Sequence, residues 1–184
     1  MLKRIFEKFY INYYMARNDG RYPNKVLQTR GVKLGNNVKI YTKSIDLAYG
    51  FLISIGDNVT ISDALILAHD ASTRLFNNYT SIGKVKIGSN VFIGAKAIIL
   101  PNVTIGDNVI IGAGAVVSKD IPSNCVVAGN PARVIKPLDE FLNNRNAKVN
   151  KDTLFTVKFP LSDEQKQEIY NHLNGLGFED LIEK

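Results

Sequence analysis

The sequence predicts an all-β solenoid, in which short strands joined by tight corners stack into triangular coils. The first observation is a period of six, because aliphatic residues recur without a break at Ile87, Ile93, Ile99, Ile105, Ile111 and Val117. The second is that another small or branched apolar residue follows each by four positions, at Val91, Ala97, Val103, Val109, Ala115 and Ile121. A period of six fits neither an α-helix nor the two-sided alternation of a simple strand. Stacked coils of this kind bury a continuous column of apolar side chains.

Glycine supports the same prediction, because it follows the aliphatic residue in four repeats, at Gly88, Gly94, Gly106 and Gly112. We attribute these glycines to corners that need backbone angles forbidden to other residues. The frame extends toward the N-terminus, with inward residues expected at Ile55, Ile61 and Leu67, partners at Val59, Leu65 and Ala71, and a weak start at Leu34 and Ile40.

The spacing breaks twice, after Ile40 and after Leu67. The second break predicts that the chain leaves the coil just after His69, at a place where function is often carried. Residues 72–84 would form either an enlarged coil or a projecting loop.

The flanks differ from the repeat, so we divide the chain into three segments. Residues 1–30 form a basic, amphipathic helical segment, 31–137 form the coil, and 138–184 form a linker and a C-terminal helix. Apolar residues at helical spacing in 1–20 predict the first helix. Ser162 and Gln165 resemble a capping box at the start of the last helix, after a loose linker around residues 143–152.

Composition limits the classes of protein that the chain can represent. It has 184 residues and one cysteine, and it lacks an apolar run of membrane-spanning length or a secretory signal. We therefore expect a cytoplasmic protein with no internal disulfide.

Charge is concentrated at one end of the chain. Residues 1–33 carry eight basic and two acidic residues, which accounts for the whole net charge of +6. This basic end suggests an acidic glycan or a membrane surface, reached through residues 1–14 at the inner face of the membrane, unless it is only a solvated helix face. Nucleic acid is not expected, because no nucleic-acid motif accompanies the charge.

Residues 87–137 resemble the hexapeptide-repeat acetyltransferases. The resemblance is strongest from Ile105 to Pro122 and in the closing element Ala128-Gly129-Asn130-Pro131-Ala132-Arg133. It implies a left-handed parallel β-helix, a homotrimer with active sites between subunits, and acetyl transfer from acetyl-CoA. The segment from Ile66 to Ser72 is similar to the one that carries the catalytic histidine of sugar and polysaccharide O-acetyltransferases. A sugar or glycan hydroxyl is therefore the expected acceptor, with an amino sugar or a non-catalytic scaffold as alternatives.

Acetyl transfer to a hydroxyl needs a general base, and histidine titrates near neutrality. The chain has two histidines, and the resemblance assigns the base to His69, while His172 falls on the C-terminal helix. Asp46 and Asp70 could orient the imidazole or bind the acceptor, although Asp70 could equally be a turn aspartate. Ser72 and Cys125 are weaker candidates for an acyl carrier. We expect direct transfer.

The resemblance assigns coenzyme A to Ala95, Ala113, Ser118, Lys119, Arg133 and Lys136. The small residues would let the pantetheine arm lie against the coil, and the basic residues would pair with phosphates. Repeat packing and solubility are the alternative explanations. No metal is expected, because two histidines are too few for the zinc site of a β-helix carbonic anhydrase.

Overall fold

The structure is a computed structural model that describes residues 2–17, 20–147, 155–157, 160–173 and 181–183. It divides into two compact units, Met1–Asp139 and Glu140–Lys184. The helices of the first unit are α1 (Leu2–Arg17), α2 (Asn24–Thr29) and α3 (Arg74–Asn77), and a 3₁₀ turn covers Gly50–Leu52. Its strands are β1 (Lys33–Leu34), β2 (Lys39–Ile40), β3 (Ile53–Ile55), β4 (Thr60–Ile61), β5 (Leu65–Ile66), β6 (His69–Asp70), β7 (Ser81–Ile82), β8 (Val85–Ile87), β9 (Val91–Ile93), β10 (Ile98–Ile99), β11 (Val103–Ile105), β12 (Val109–Ile111), β13 (Val116–Val117), β14 (Cys125–Ala128) and β15 (Arg133–Pro137).

Three sheets form the walls of the first unit. Their strand orders are β1-β3-β8-β11 for sheet 1, β2-β4-β9-β12-β14-β15 for sheet 2 and β5-β10-β13 for sheet 3. The chain visits sheets 1, 2 and 3 in the same order on each turn, and each strand pairs in parallel with the strand one turn away. Within these three sheets, only β15 runs antiparallel to its neighbour, β14. This arrangement is the predicted stack of three-sided coils.

The interior of the coils is the predicted apolar column. Every aliphatic residue and every four-position partner predicted from Ile87 to Ile121 is buried. Ile93, Ile99 and Ile111 have no exposed surface. Burying one such side chain contributes about 1.5–3 kcal/mol, so stacking explains the stability of strands only two or three residues long.

One stretch of the predicted frame is wrong by a residue. The structure buries Ala64, Ile66 and Ala68, whereas Leu65 and Leu67 are only partly buried and Ala71 is exposed. The cause is a corner shortened by one residue: five positions separate Ile61 from Ile66, whereas six separate Ile93 from Ile99. The register that pairs Ile66 with Ile99 fixes this difference.

The prediction that the repeat glycines adopt backbone angles forbidden to other residues is also wrong. Gly88 and Gly94 do not have positive φ, and a Cβ at Gly88 would lie 2.7 Å from the carbonyl oxygen of Gly106 in the next coil. Close stacking therefore requires these glycines. At one corner of each coil the left-handed angle falls instead on an asparagine: Asn37, Asn58, Asn90, Asn108 and Asn124. Their side-chain amides bond to one another in a ladder from coil to coil.

The excursion after His69 is a projecting loop and not an enlarged coil. It is closed at its base by antiparallel pairing of β6 with β7, where His69 lies opposite Ile82. Helix α3 occupies its outer part, and the coil resumes at β8.

The flanking helices agree in part with those predicted from the sequence. Helix α1 forms as predicted, and no helix among the residues described is long and apolar enough to cross a membrane. Helix α4 (Leu138–Asn146) replaces the first part of the predicted linker, so residues 143–146 are helical. Residues 148–152 of that linker lie outside the described residues.

The second unit contains α5 (Asp163–Leu173) and the parallel strands β16 (Phe155–Val157) and β17 (Leu181–Glu183). The capping box at the start of α5 is present. The Ser162 N–H donates to Gln165 Oε1 at 3.0 Å, and the Gln165 N–H donates to Ser162 Oγ at 3.2 Å.

Candidate active site

His69 lies where the chain leaves the coil. Strand β5 ends at the buried Ile66, and three residues later His69 begins the short antiparallel pair that closes the projecting loop. The Gly83 N–H donates to the carbonyl of Ala68 at 2.9 Å, which fixes the base of the loop beside the histidine. The His69 side chain is 34% exposed, so its ring lies at the surface of a rigid corner.

A buried carboxylate holds this imidazole. Asp46 Oδ2 contacts His69 Nδ1, and the Asp46 side chain is only 4% exposed. The same oxygen accepts the Ala68 N–H at 3.1 Å, and Oδ1 accepts the Tyr49 N–H at 3.4 Å. Burying a charge is costly unless hydrogen bonds replace water, and these donors replace it here.

Backbone pairing brings Asp46 and His69 together across 23 positions of sequence. Ile45 forms a parallel bridge with Ile66, and the Asp46 N–H donates to the Ile66 carbonyl at 3.0 Å. Asp46 therefore lies in the coil next to that of His69, with its carboxylate buried. The sequence offered two roles for Asp46, and this geometry favours orienting the imidazole over binding an acceptor.

The contact between His69 and Tyr49 was missed by the sequence reasoning. The two ring centroids lie 5.0 Å apart with a 39° angle between the ring planes. Tyr49 lies in the segment where the six-residue frame breaks between Ile40 and Ile55, so the repeat gave no position for it. The break in the six-residue spacing was the one sequence signal that this segment departs from the regular coil.

The second ring nitrogen of His69 faces a different environment. An ionised carboxylate only accepts hydrogen bonds, so Nδ1 carries the ring proton and Nε2 keeps its lone pair. Nε2 has no hydrogen-bond partner among the residues that the structure describes. A ring that donates its Nδ1 proton to Asp46 presents the lone pair of Nε2 to solvent, which is the arrangement that a general base requires.

Asp70 forms a turn of its own. It is exposed, and its Oδ1 accepts the Ser72 N–H at 2.8 Å. Hydrogen bonds from the Ser72 backbone and side chain hold the pKa of Asp70 below its usual range. The turn explanation fits these contacts, and binding of an acceptor by Asp70 stays a prediction.

The coenzyme candidates fall on two corners of the coil. Ala95 and Ala113 stack in neighbouring coils at the corner between sheets 2 and 3, where the Gly114 N–H bonds to the Ala95 carbonyl at 2.9 Å. A Cβ built on Gly114 would meet no atom within 4 Å, so the space outside this corner is open. Ser118 and Lys119 are exposed at the corner between sheets 3 and 1, which is also the corner of His69.

The two basic candidates near the end of the coil lie on β15. Arg133 pairs in register with Ala128, and its guanidinium donates to the carbonyl of Ala132 at 2.8 Å. Lys136 pairs with Val126 and is half-buried. Four strand spacings separate β15 from the coil of His69, which is about 19 Å along the axis at about 4.8 Å per strand.

Two weaker candidates remain, His172 and Cys125. His172 is on α5 in the second unit, and its side chain is outside the described residues. Cys125 is buried, its Sγ bonds to the Pro122 carbonyl at 3.2 Å, and burial raises its pKa, as expected for a structural thiol. Within the described ranges, no group of three or more histidine, cysteine or acidic side chains could hold a metal ion.

Known proteins match both the repeat and the longer chain. Residues 84–119 match the family described as bacterial transferase hexapeptide (six repeats). Protein CapG of Staphylococcus aureus is 41% identical over 147 residues, which cover 76% of this chain and 81% of CapG. Galactoside O-acetyltransferase of Escherichia coli K12 is 44% identical over 94 residues, which cover 49% of this chain and 46% of that enzyme. The chain thus spans about half the length of that enzyme.

A solved structure matches as well. A hexapeptide-repeat acetyltransferase of Vibrio cholerae is 27% identical, with a TM-score of 0.50, over 59% of this chain and 63% of that protein. The same Vibrio protein has been solved with acetyl coenzyme A.

The fold and the site define the class of protein as a β-solenoid that carries a histidine paired with a buried carboxylate at one corner. The similar proteins identify the family within that class. The chain belongs to the hexapeptide-repeat acetyltransferases.

Proposed function

We propose that this protein is an acetyl-CoA-dependent O-acetyltransferase that acetylates a hydroxyl of a sugar or polysaccharide, with His69 as general base. The observation that carries the proposal is the pairing of His69 Nδ1 with the buried carboxylate of Asp46. This pairing leaves Nε2 as the acceptor of a proton at an exposed corner.

The chemistry follows from the two ring nitrogens. Acetyl-CoA supplies an activated acetyl group on sulfur. His69 Nε2 takes the proton of the acceptor hydroxyl while the hydroxyl oxygen forms a bond to the acetyl carbonyl carbon. Asp46 stabilises the imidazolium that results. His69 then returns the proton to the sulfur as the carbon–sulfur bond breaks, so the ester and the free thiol leave and His69 is neutral again.

Asp46 and Tyr49 act on His69 and not on the substrates. The carboxylate fixes which nitrogen carries the proton, and the Tyr49 ring, 5.0 Å away, limits rotation of the imidazole. Holding a base within reach of its proton supplies part of the rate acceleration, because the reacting groups lose less freedom in the transition state.

The residues expected to hold coenzyme A fit a long, narrow molecule. Small side chains at Ala95 and Ala113 leave the corner open, and Lys119, Arg133 and Lys136 can contact phosphate groups. Because Arg133 lies about 19 Å along the axis from the coil of His69, an extended donor could place its thioester at one end and its phosphates at the other.

We further propose a left-handed coil and a homotrimer, as the family resemblance implies. His69 and the Ala95–Ala113 pair lie on different corners of one chain. A groove between two subunits would bring the His69 corner of one chain to the alanine corner of the next, so each site would use both. A sugar acceptor is supported by the name of the galactoside O-acetyltransferase that this chain resembles.

The test is an acceptor panel assayed for release of coenzyme A thiol. The panel contains neutral sugars, an acidic glycan and amino sugars, and mass spectrometry locates the acetyl group on oxygen or nitrogen. We expect acceptor-dependent thiol release with an ester product. Acetylation of amino groups alone would overturn the O-acetyltransferase assignment, and acetyl-CoA binding without transfer to any acceptor would overturn the catalytic one.

A further inference from the structure

One face of α1 presents a row of aromatic side chains to solvent. Phe6, Phe9 and Tyr13 are 69%, 70% and 62% exposed, and we call them the aromatic ridge. At 3.6 residues per turn they fall within an arc of about 60°. On the other side of the helix, Ile11 and Met15 pack against the core of the coil. The helix is therefore already anchored by one face, and the ridge is not needed for that contact.

Positive charge flanks the aromatic ridge. Arg17 and Lys25 are exposed. The Arg17 guanidinium lies 5.5 Å from the centre of the Tyr13 ring, and Lys25 lines a groove together with Phe6. The only acidic residue in the sequence of α1 is Glu7. Both of its carboxylate oxygens are bound by Arg30, at 2.9 and 2.8 Å. The charge near the ridge is thus not neutralised by α1 itself.

A groove beside the ridge combines the same two chemistries. It has a volume of about 800 Å³ and is lined by Phe6, Tyr10 and Val26, by Thr29 and Lys25, and by the paired side chains of Glu7 and Arg30. Apolar walls next to a cation suit a molecule that has an acyl chain and an anionic head group.

We propose that the aromatic ridge of α1 binds the surface of a membrane that contains anionic lipids. The rings would enter the boundary between head groups and acyl chains, and the flanking cations would attract the lipid phosphates. A two-fold contact with a second copy is disfavoured, because it would bring Arg17 and Lys25 close to their own counterparts. Nucleic acid would explain the charge but not three rings aligned along one helix face.

The test is co-sedimentation of the full chain with phosphatidylcholine vesicles, with and without phosphatidylserine. We expect binding only to the anionic vesicles, weakened by high salt. Arg17→Gln with Lys25→Gln should lower the partition coefficient about 25-fold, since each basic residue near such a surface contributes about fivefold. Phe6→Ser and Phe9→Ser should each lower it at least about tenfold.

Matched controls separate the ridge from general charge and general apolarity. Lys84→Gln with Lys86→Gln removes two exposed lysines beside and within β8, and Tyr170→Ser removes an exposed ring on α5. Neither should change vesicle binding. Thermal melting should show that the Phe6 and Phe9 variants remain folded, because both side chains are largely exposed.

Three results would overturn the proposal. The first is absence of wild-type binding to anionic vesicles. The second is an equal loss of binding in the Lys84 and Lys86 control, which would mean attraction by overall charge. The third is a lower sedimentation coefficient of the Phe6 or Phe9 variant without lipid, which would mean that the ridge covers another copy of the chain. Acetyl transfer to a soluble acceptor should be unchanged in these variants, so this test is independent of the proposed function.

Discussion

Replacing Asp46 with asparagine removes the negative charge next to His69 while keeping the shape of the side chain. The carboxylate accepts hydrogen bonds from the His69 ring, from the Ala68 N–H at 3.1 Å and from the Tyr49 N–H at 3.4 Å. An asparagine oxygen can replace Oδ2, and its amide group then faces only the longer Tyr49 contact. The cost in stability should be about 1 kcal/mol, that of one weak hydrogen bond.

The cost in catalysis should be much larger. Without the carboxylate, the imidazolium formed during transfer loses its buried partner, and kcat should fall about 10²- to 10⁴-fold. Asp46→Ala should lower the rate similarly but lower the melting temperature further, because the buried Ala68 N–H then loses its acceptor. Steady-state thiol release and thermal melting measure the two effects separately.

Asp70→Asn is the matched control. Asp70 is next to His69 in sequence, but it is exposed and bonds to Ser72 in its own turn. Its replacement should leave kcat within about threefold of wild type, far below the loss expected when a general base is disabled. If Asp46→Asn kept the wild-type rate while Asp70→Asn lost it, the role of Asp46 would be refuted.

Three further predictions follow from neighbouring contacts. Tyr49→Leu should lower kcat about tenfold by freeing the imidazole, and Tyr49→Phe, which keeps the ring, should restore it; equal rates in both variants would contradict the ring contact. Arg133→Ala should raise the KM for acetyl-CoA about 3- to 10-fold with kcat nearly unchanged, whereas Lys84→Ala should leave the KM unchanged. A change in kcat alone would contradict the placement of the coenzyme. Cys125→Ala should keep full activity. Thiol reagents should label the folded wild type slowly at neutral pH, because the raised pKa of Cys125 leaves little thiolate. Fast labelling of the folded protein would contradict the burial of Cys125.

The repeat was predictable because its physical cause is local and repeated. Each inward position from Ile87 to Val117 faces the same kind of neighbour in the coil above and below, so the same residue type recurs. The capping box at Ser162 and Gln165 was predictable for a similar reason, since both bonds form within one helical turn.

The errors occurred where one position deviates from that pattern. The corner between Ile61 and Ile66 is one residue short, and an apolar residue stood at both the predicted and the observed positions. The glycines were assigned a conformational role, whereas contact with the next coil requires them. Spacing alone does not distinguish a residue needed for its φ from one needed for its lack of a side chain.

The candidate site was predictable in part. His69 was found through a local segment, and Asp46 was named with two possible roles. The contacts of His69 with Asp46 and Tyr49 depend on the bridge between Ile45 and Ile66, which the sequence did not reveal. That bridge joins two segments that both lie off the six-residue frame. The coenzyme candidates were found as a set from the resemblance, and the structure divides them between two corners and β15.

The central claim is that His69 removes the proton from the acceptor hydroxyl. The most direct measurement is kcat for acetyl transfer by His69→Ala, together with the Kd for acetyl-CoA, compared with His172→Ala as the control for the other histidine. For His69→Ala we expect kcat to fall about 10²- to 10⁴-fold and the Kd to stay unchanged, whereas His172→Ala should turn over at the wild-type rate. A His69→Ala protein that binds acetyl-CoA normally and turns over at the wild-type rate would contradict this claim.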